Sequence, residues 1–477
     1  MSAPNSLPTE AVSTGRPVDT ADRANFTSSI RLKLRVPARM RNIELLLLLV
    51  ASGINAAAIC LVQLGALGEI DSTLLTYGAG LTLLVFAMHF TMRVVAPDAD
   101  PFILPVITVL NGLGIAMIYR IDIDDNLTGW GAAGVRQMVW TALAITLAIV
   151  VIIVVRNHRV LLRYRFVSMF TGIALLLLPL APLIGSERNG ARIWIELGPL
   201  NFQPGELGKI ALAIFFAGYL VTARDSLSMV GTKVLGMTFP RARDLGPIIV
   251  VFIASMGVLI FQRDLGTALL YFGLFLVMIY VATGRASWII LGLTAFFGGA
   301  LVASQTLSYV NGRFAAWLDA FNPDIYDQNG GSYQLVQGLF GLAKGGLIGA
   351  GLGQGRPGIV PLAESDYIIA SLGEELGLIG LFAILALYLL FVSRGFRIGF
   401  AGQDDFGRLL GVGLSFLIAL QVFIVVGGVT RVIPLTGLTT PFLAAGGSSL
   451  VANWIIAALL LRLSDTVRNQ PRAVIEQ

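Results

Sequence analysis

Four stretches of this chain carry side chains able to do chemistry, and none contains a histidine or a cysteine. The first runs Arg188-Asn189-Gly190-Ala191-Arg192-Ile193-Trp194-Ile195 and continues at Gln203-Pro204-Gly205-Glu206-Leu207-Gly208-Lys209. The second is Gln262-Arg263-Asp264-Leu265-Gly266. The third opens at Tyr333-Gln334-Leu335-Val336-Gln337 and crosses a glycine-rich segment holding Gly351-Leu352-Gly353-Gln354-Gly355. It closes on Arg356-Pro357 and Glu364-Ser365-Asp366-Tyr367, with Glu374-Glu375 just beyond. The fourth is Thr430-Arg431-Val432-Ile433-Pro434-Leu435-Thr436-Gly437, followed by Gly446-Gly447-Ser448-Ser449. The two histidines, His89 and His158, and the single cysteine, Cys60, lie elsewhere. A Ser-His-Asp triad, a Cys-His pair and a His-ligated zinc are therefore excluded for these stretches. Carboxylates, cations, amides and aromatics remain. That set suits general-base chemistry by a carboxylate, with cations stabilising a phosphate-bearing leaving group.

Several of these residues have two readings. Pro204 suits the first turn of a helix, on which Glu206 and Lys209 share a face at i, i+3. The pair is either a structural ion pair beside a belt tryptophan, Trp194, or part of a site, the usual role of ionisable groups so near a membrane core. Asp264 reads as a helix N-cap or as a substrate- or metal-facing group. The glycine run resembles a nucleotide loop only weakly, because no strand precedes it; short half-helices packed closely at membrane depth fit it better. Asp366 stands at the start of a long apolar helix. It either caps that helix or is a carboxylate held ionised by the helix dipole and facing a polar cavity. Glu374 lies roughly 80° round the same helix, with Glu375 on the opposite side. Arg431 suits an anion contact or an interfacial arginine reaching for headgroups.

Membrane helices must position these groups. Of the 477 residues 56% are hydrophobic and 13% charged, against roughly 25% charged in soluble domains. Mean hydropathy is +0.81. Such a chain needs lipid around it, and in lipid every backbone group must pair within a helix or a closed barrel. The apolar runs are about 17–25 residues long, unlike the alternating strands of a barrel. The expected fold class is all-α, a polytopic integral membrane protein. Twelve apolar segments are read, at about 43–64, 72–92, 101–120, 137–155, 166–184, 206–223, 246–261, 265–283, 286–304, 367–393, 408–428 and 438–461. Residues 1–40 are polar and basic and read as a disordered cytoplasmic tail without a cleavable signal. Residues 464–477 read as a second tail.

Lys and Arg set the orientation. With the N-terminus inside, Arg16 through Arg41, Arg156 through Arg165, Arg224 through Arg243, and Arg394, Arg397, Arg462, Arg468 and Arg472 all fall on the cytoplasmic side. The reactive stretches 185–205, 305–366 and 429–437 then face outward. The net charge of +5 reflects the inner loops, not a nucleic-acid surface. No internal repeat is evident, so an inverted-repeat transporter has no direct support.

These residues, in this order and on this topology, resemble the SEDS proteins (shape, elongation, division, sporulation), and the RodA-like branch more than the FtsW-like one. The resemblance covers roughly residues 100–462, a ten-span core. Residues 41–95 form two additional helices. The elements that carry it are Asn189-Gly190-Ala191 with Trp194, Gln203-Pro204 with Glu206 and Lys209, Asp264-Leu265-Gly266, Gly351 to Gly355, Ser365-Asp366 with Glu374-Glu375-Leu376-Gly377, and Pro434-Leu435-Thr436-Gly437 with Gly446-Gly447-Ser448-Ser449. Gly205, Glu364-Ser365 and Ala444-Ala445 depart from the usual Ser, His-Thr and Ser-Tyr.

The resemblance implies a peptidoglycan glycosyltransferase that polymerises lipid II and releases undecaprenyl pyrophosphate, working with a class B penicillin-binding protein as transpeptidase. It makes Asp366 the catalytic base on the acceptor hydroxyl. Arg192, Trp194, Gln203, Glu206, Lys209, Asp264, Arg313, Gln334, Gln354, Glu374 and Arg431 are the expected substrate contacts. A divalent cation, Mg or Mn, near Asp264 or Asp366 is a further expectation, since hard cations suit carboxylates and pyrophosphate. A lipid II flippase, an ion-coupled secondary transporter using Glu206, Lys209 and Glu374, and a recruiting scaffold remain as alternatives.

Overall fold

The structure, a computed structural model, describes residues 37–469 apart from 183, 189, 198–199, 229–232, 235–236, 239–241 and 329. The tail through residue 36, Asn189 and the chain beyond 469 lie outside the described residues. A helical hairpin comes first, α1 (Pro37–Ala66) and α2 (Ser72–Val95), followed by α3 (Ile103–Asp124), α4 (Ala133–Val154), the short α5 (Arg159–Arg163) and α6 (Arg165–Leu177). Three strands intervene, β1 (Gly185–Arg188), β2 (Ala191–Leu197) and β3 (Leu200–Phe202). Then come α7 (Pro204–Ser228), α8 (Ala242–Phe261), α9 (Leu265–Thr283), α10 (Ser287–Thr306), α11 (Ser308–Leu318), the one-turn α12 (Pro323–Tyr326), α13 (Tyr333–Gly345), α14 (Ile368–Ala401), α15 (Asp405–Val429) and α16 (Gly447–Asn469).

Ten of these helices are long and apolar enough to cross a membrane, and the shorter apolar runs in α6 and α8 complete the twelve expected segments. The protein is a multi-pass membrane protein. Helices α3, α15 and α16 bury most of their length in the bundle, whereas α10 buries none of its described residues. Buried ionic groups at the start of the bundle are paired, as hydrocarbon surroundings demand. Arg41 Nη1 meets Glu44 Oε2 at 2.7 Å, and His89 Nδ1 meets Glu44 Oε1 at 2.6 Å. Arg41 also donates to the Ala99 carbonyl. This knot ties α1 and α2 to the start of the core.

Three features differ from the sequence expectation. The segment 166–184 is helical only to Leu177, then turns through Leu178–Leu180, because Pro179 and Pro182 cannot extend the ladder. The segment that follows adds a small sheet to the all-α bundle: β1, β2 and β3 pair antiparallel in that order. The last helix begins at Gly447 rather than near 438. Its approach carries Pro441, and its backbone bonds to other elements instead of to a helix: Ala445 N donates to Glu364 O at 2.7 Å, and Tyr388 Oη donates to Pro441 O. At its other end α16 runs on to Asn469, past the expected boundary at 463.

Candidate active site

At the end of the bundle that carries the sheet, a cavity of about 210 Å³ lies between α4, the sheet and the two irregular segments before α14 and α16. Ala133, Arg136, Gln137 and Trp140 line it; their i, i+3, i+4, i+7 spacing is one face of a helix. Trp194 and Asn201 come from the sheet, Glu364 and Ser365 from one loop, and Ala445, Gly446 and Gly447 from the other. Trp140 stacks on Phe202 with ring centroids 6.4 Å apart. Gly447 is required there, since a Cβ would stand 2.1 Å from the indole. Gln137 fixes the second loop, donating to Ala444 O at 3.0 Å and accepting from Gly446 N at 3.3 Å. Trp194 pairs with Ser186 across the hairpin. Strand alternation puts Arg192 on the same sheet face as Trp194, and Arg192 N anchors the strand to Gln262 O at 3.2 Å.

Asp366 adjoins this cavity through Ser365, whose side chain hydrogen-bonds it. It does not cap α14: the N-cap position is Tyr367, and no side chain closes that end. The carboxylate is thus free of the capping role. It is not held ionised by the helix dipole either. Burial pushes its pKa up from 3.8 to about 6, against the opposing pull of Ser365 and the Arg313 cation, with Glu364 adding to the rise. Burial likewise raises Glu364. Arg313 is braced by two carbonyls, donating from Nη1 to Leu435 O at 3.1 Å and Thr436 O at 2.9 Å. Gly437 follows, its Cα facing Asp366 so closely that a Cβ would sit 3.6 Å from Oδ2.

A second polar group lies beneath, inside the bundle. Lys209 Nζ and Glu206 Oε2 stand 2.6 Å apart, both buried. Lys209 also donates to Gln421 Oε1 at 3.0 Å and Asn453 Oδ1 at 3.3 Å. Gln421 in turn donates to Thr439 O at 2.8 Å, and Asn453 to Ser449 Oγ at 3.3 Å. The ion pair therefore joins α7 to α15, α16 and the loop that walls the cavity. Asp264 is the N-cap of α9, accepting from Thr267 N at 2.9 Å. Gln203 Nε2 approaches its other oxygen at 3.5 Å. The Arg313 charge bears on both Asp264 and Asp366.

The remaining candidates sit elsewhere and hold structure. Gln334 donates to Pro361 O at 2.6 Å, bracing the segment before Asp366. Gln354 reaches Gly65 O of α1 at 3.0 Å. Glu374 pairs with Lys344 at 2.7 Å and accepts from Arg356 N at 2.8 Å. Glu375 accepts from Gly353 N, Gly355 N and Arg120 Nε. Both glutamates thus hold the glycine segment, which follows a single helix, α13, rather than two half-helices. Arg431 donates to Trp317 O and Leu318 O, both at 2.7 Å, and fixes the end of α11.

Arg136, Gln137, Trp140 and Asn201 are cavity residues that the motif reading passed over. Their signal was present in α4, where two polar residues share a face with a tryptophan at the end of an apolar run. For a divalent cation, the donor set is the test. Asp264 is engaged in capping, Glu206 is paired with Lys209, and among the described residues no three His, Cys, Asp or Glu side chains converge. Among the described residues there is thus no preformed three-ligand metal site, and no step is routed through a cation.

The family model for the FtsW, RodA and SpoVE cell cycle proteins matches residues 101–469. The peptidoglycan glycosyltransferase RodA of Mycobacterium tuberculosis (strain ATCC 25618 / H37Rv) is 46% identical over 440 residues, covering 92% of this chain and 93% of the relative. Among solved structures, the Rod shape determining protein RodA of Thermus thermophilus is 26% identical with a TM-score of 0.55, covering 78% of this chain and 98% of that one. A chain from work on the structural coordination of polymerization and crosslinking by a peptidoglycan synthase complex shares the fold, with a TM-score of 0.62 at 24% identity over 78% of this chain and 99% of that one. A family model spanning most of the chain, and a RodA relative alike over nearly its whole length, make this chain a RodA-like member of the FtsW, RodA and SpoVE family.

Proposed function

We propose that this chain is a peptidoglycan glycosyltransferase that polymerises lipid II into glycan strands, with undecaprenyl pyrophosphate as leaving group. The observation that carries the reading is the state of Asp366: an uncapped, half-buried carboxylate with a pKa of about 6, beside a polar cavity bordered by Trp194 and Arg136. A base works best when its pKa lies near the working pH. Asp366 is mostly ionised at neutral pH and still basic enough to take a proton from a sugar hydroxyl. Oxygen attack at the anomeric carbon of the donor then expels the diphosphate, whose charge needs cations. Arg136 on the cavity wall and Arg313, whose charge bears on Asp366, are the candidates. Trp194 offers a flat apolar face to a sugar ring.

The basic loops support an orientation with both termini in the cytoplasm and the cavity on the outer face. A class B penicillin-binding transpeptidase is the partner this reading calls for, since the glycan must be crosslinked. The flippase alternative binds the same lipid, so chemistry separates them. Purified protein with its transpeptidase should extend lipid II into glycan, and Asp366→Ala should abolish this while eluting as a folded protein. Glycan made by Asp366→Ala, with partner enzymes catalytically silenced, would defeat the assignment.

A further inference from the structure

A second and larger cavity, about 600 Å³, lies away from the site, between the α1–α2 hairpin and the core. Its walls are α1 around Gly53 and Ile59, α2 from Leu74 to Phe86, α3 around Ile115, and α4 at Met138 and Ile145, with Trp454 at the back. The hairpin packs on the core through two separate apolar clusters. One joins Ala58, Ile59, Val62 and Leu74 to Ile115, Ala116 and Met138. The other brings Leu48, Val85, Met88 and Met92 into the main core. The cavity is the gap between them.

We propose that this gap is a retained binding site for one acyl chain of a bilayer phospholipid. Packed interiors hold few voids larger than a water molecule, and this one lies within membrane-spanning helices, where the available filler is hydrocarbon. The lining contains no charged side chain, so a phosphate headgroup has no partner inside it. Its polar floor is largely bonded within itself. Asn55 Nδ2 donates to Thr108 O at 2.9 Å, Thr141 Oγ1 to Gln137 O at 2.8 Å, and Trp454 Nε1 to Asn111 Oδ1 at 3.0 Å. The Asn55 carbonyl oxygen alone, among the described lining side chains, is buried without a donor, too little to hold a polar ligand. Along α2 the wall runs from Leu74 to Phe86, about 18 Å at 1.5 Å per residue. One leaflet of hydrocarbon is about 15 Å deep, so the gap matches a single chain entering from one leaflet. The volume falls within the roughly 300–1,000 Å³ of ordinary ligand pockets. The hairpin's ends are pinned directly, by Arg41 at one end and by Gln354 on Gly65 at the other; the chain fills the middle.

The test uses full-length protein in proteoliposomes doped with a phosphatidylglycerol carrying a diazirine on its acyl chain. Light should label peptides of α2 and α4 that line the gap. A Cβ on Gly53 would have no other heavy atom within 4 Å, and one on Gly78 would meet only Ile59 Cδ1, at 3.6 Å. Gly53→Leu/Gly78→Leu therefore fills the space without a backbone clash. That double variant should lose label at least five-fold. Gly80→Leu, also open but outside the lining, should keep it. If the double variant does not elute as a monodisperse peak, Gly53→Leu alone is read by the same criterion. Equal labelling of filled and unfilled protein, or labelling of these peptides by a photoreactive polyprenol in preference to the phospholipid, would overturn the proposal.

Discussion

Replacing Asp366 with asparagine removes a charge that its surroundings disfavour, so the variant should be inactive and yet more stable than the wild type. The carboxyl moves from an ordinary 3.8 to about 6 on folding, chiefly through burial. At about 1.36 kcal/mol per pH unit, ionising it in place costs about 3 kcal/mol, an upper figure because the group is only half-buried. The sign follows from proton binding. Folded protein holds this proton more tightly than unfolded protein, so wild-type stability falls as pH rises from about 4 to about 6, and is level above that. Asparagine has no such dependence. The stability gain of Asp366→Asn should therefore be near zero at pH 4, grow through pH 5, and reach a plateau of about 1–3 kcal/mol above pH 6.5. In a protein of this size that is a rise of a few degrees in melting temperature. Tryptophan-fluorescence melts of both proteins in one detergent, at pH 4, 6 and 8, give the comparison. A variant no more stable than wild type at pH 8, or equally stabilised at pH 4, would refute the reasoning about how the carboxylate is held.

Three further outcomes are expected. Wild-type polymerisation should fall about ten-fold between pH 7 and pH 5 as Asp366 takes up its proton, and Arg313→Gln should shift that acid limb to higher pH, because Arg313 is one of the groups holding the pKa down; an unmoved limb in initial-rate profiles contradicts this. Lys209→Met should destabilise by about 3–5 kcal/mol, leaving Glu206 buried and unpaired, and adding Glu206→Gln should restore most of the loss; a double-mutant cycle of melting curves measures it. Gly447→Ala should cut glycan synthesis at least ten-fold by forcing Trp140 out of the cavity wall, whereas Gly446→Ala, whose Cβ would meet nothing closer than Thr439 Cγ2 at 3.2 Å, should cost less; gel assays on lipid II read both.

Much of the fold was legible because long apolar runs leave few choices in lipid. All twelve segments correspond to helices, and the errors cluster where proline or a distant partner decides. Pro179 and Pro182 end α6 early, and Gln137 and Glu364 draw residues 444–446 out of a helix. The site was legible in part. Trp194 lines the cavity that Asp366 adjoins through Ser365, and Gln203, Glu206, Lys209 and Asp264 gather below it. Glu374, Gln354 and Arg431 do not join them, because a polar residue near a membrane end looks the same in sequence whether it meets substrate or a backbone carbonyl. Arg136 and Gln137 escaped notice for the opposite reason: their face of α4 acquires meaning only once the sheet and the loop before α16 close over it.

Asp264 and Asp366 are linked by backbone rather than by each other. Leu435 and Thr436 offer their carbonyls to Arg313, and Gly437, at φ +76°, turns the chain past Asp366. Thr436 O and the Leu438 side chain occupy the space that a Cβ on Gly266 would need, two residues from Asp264. Residues 435–438 are thus a wedge between the start of α9 and the start of α14. Arg313 rides on α11, whose end is fixed by Arg431 through Trp317 O and Leu318 O. The preceding helix, α10, buries none of its described residues. So the cation that tempers Asp366 is carried by an element joined to the least anchored helix of the bundle. The proton affinity of Asp366, raised chiefly by burial, is thus tempered by Ser365 and by the seating of α11 on this wedge.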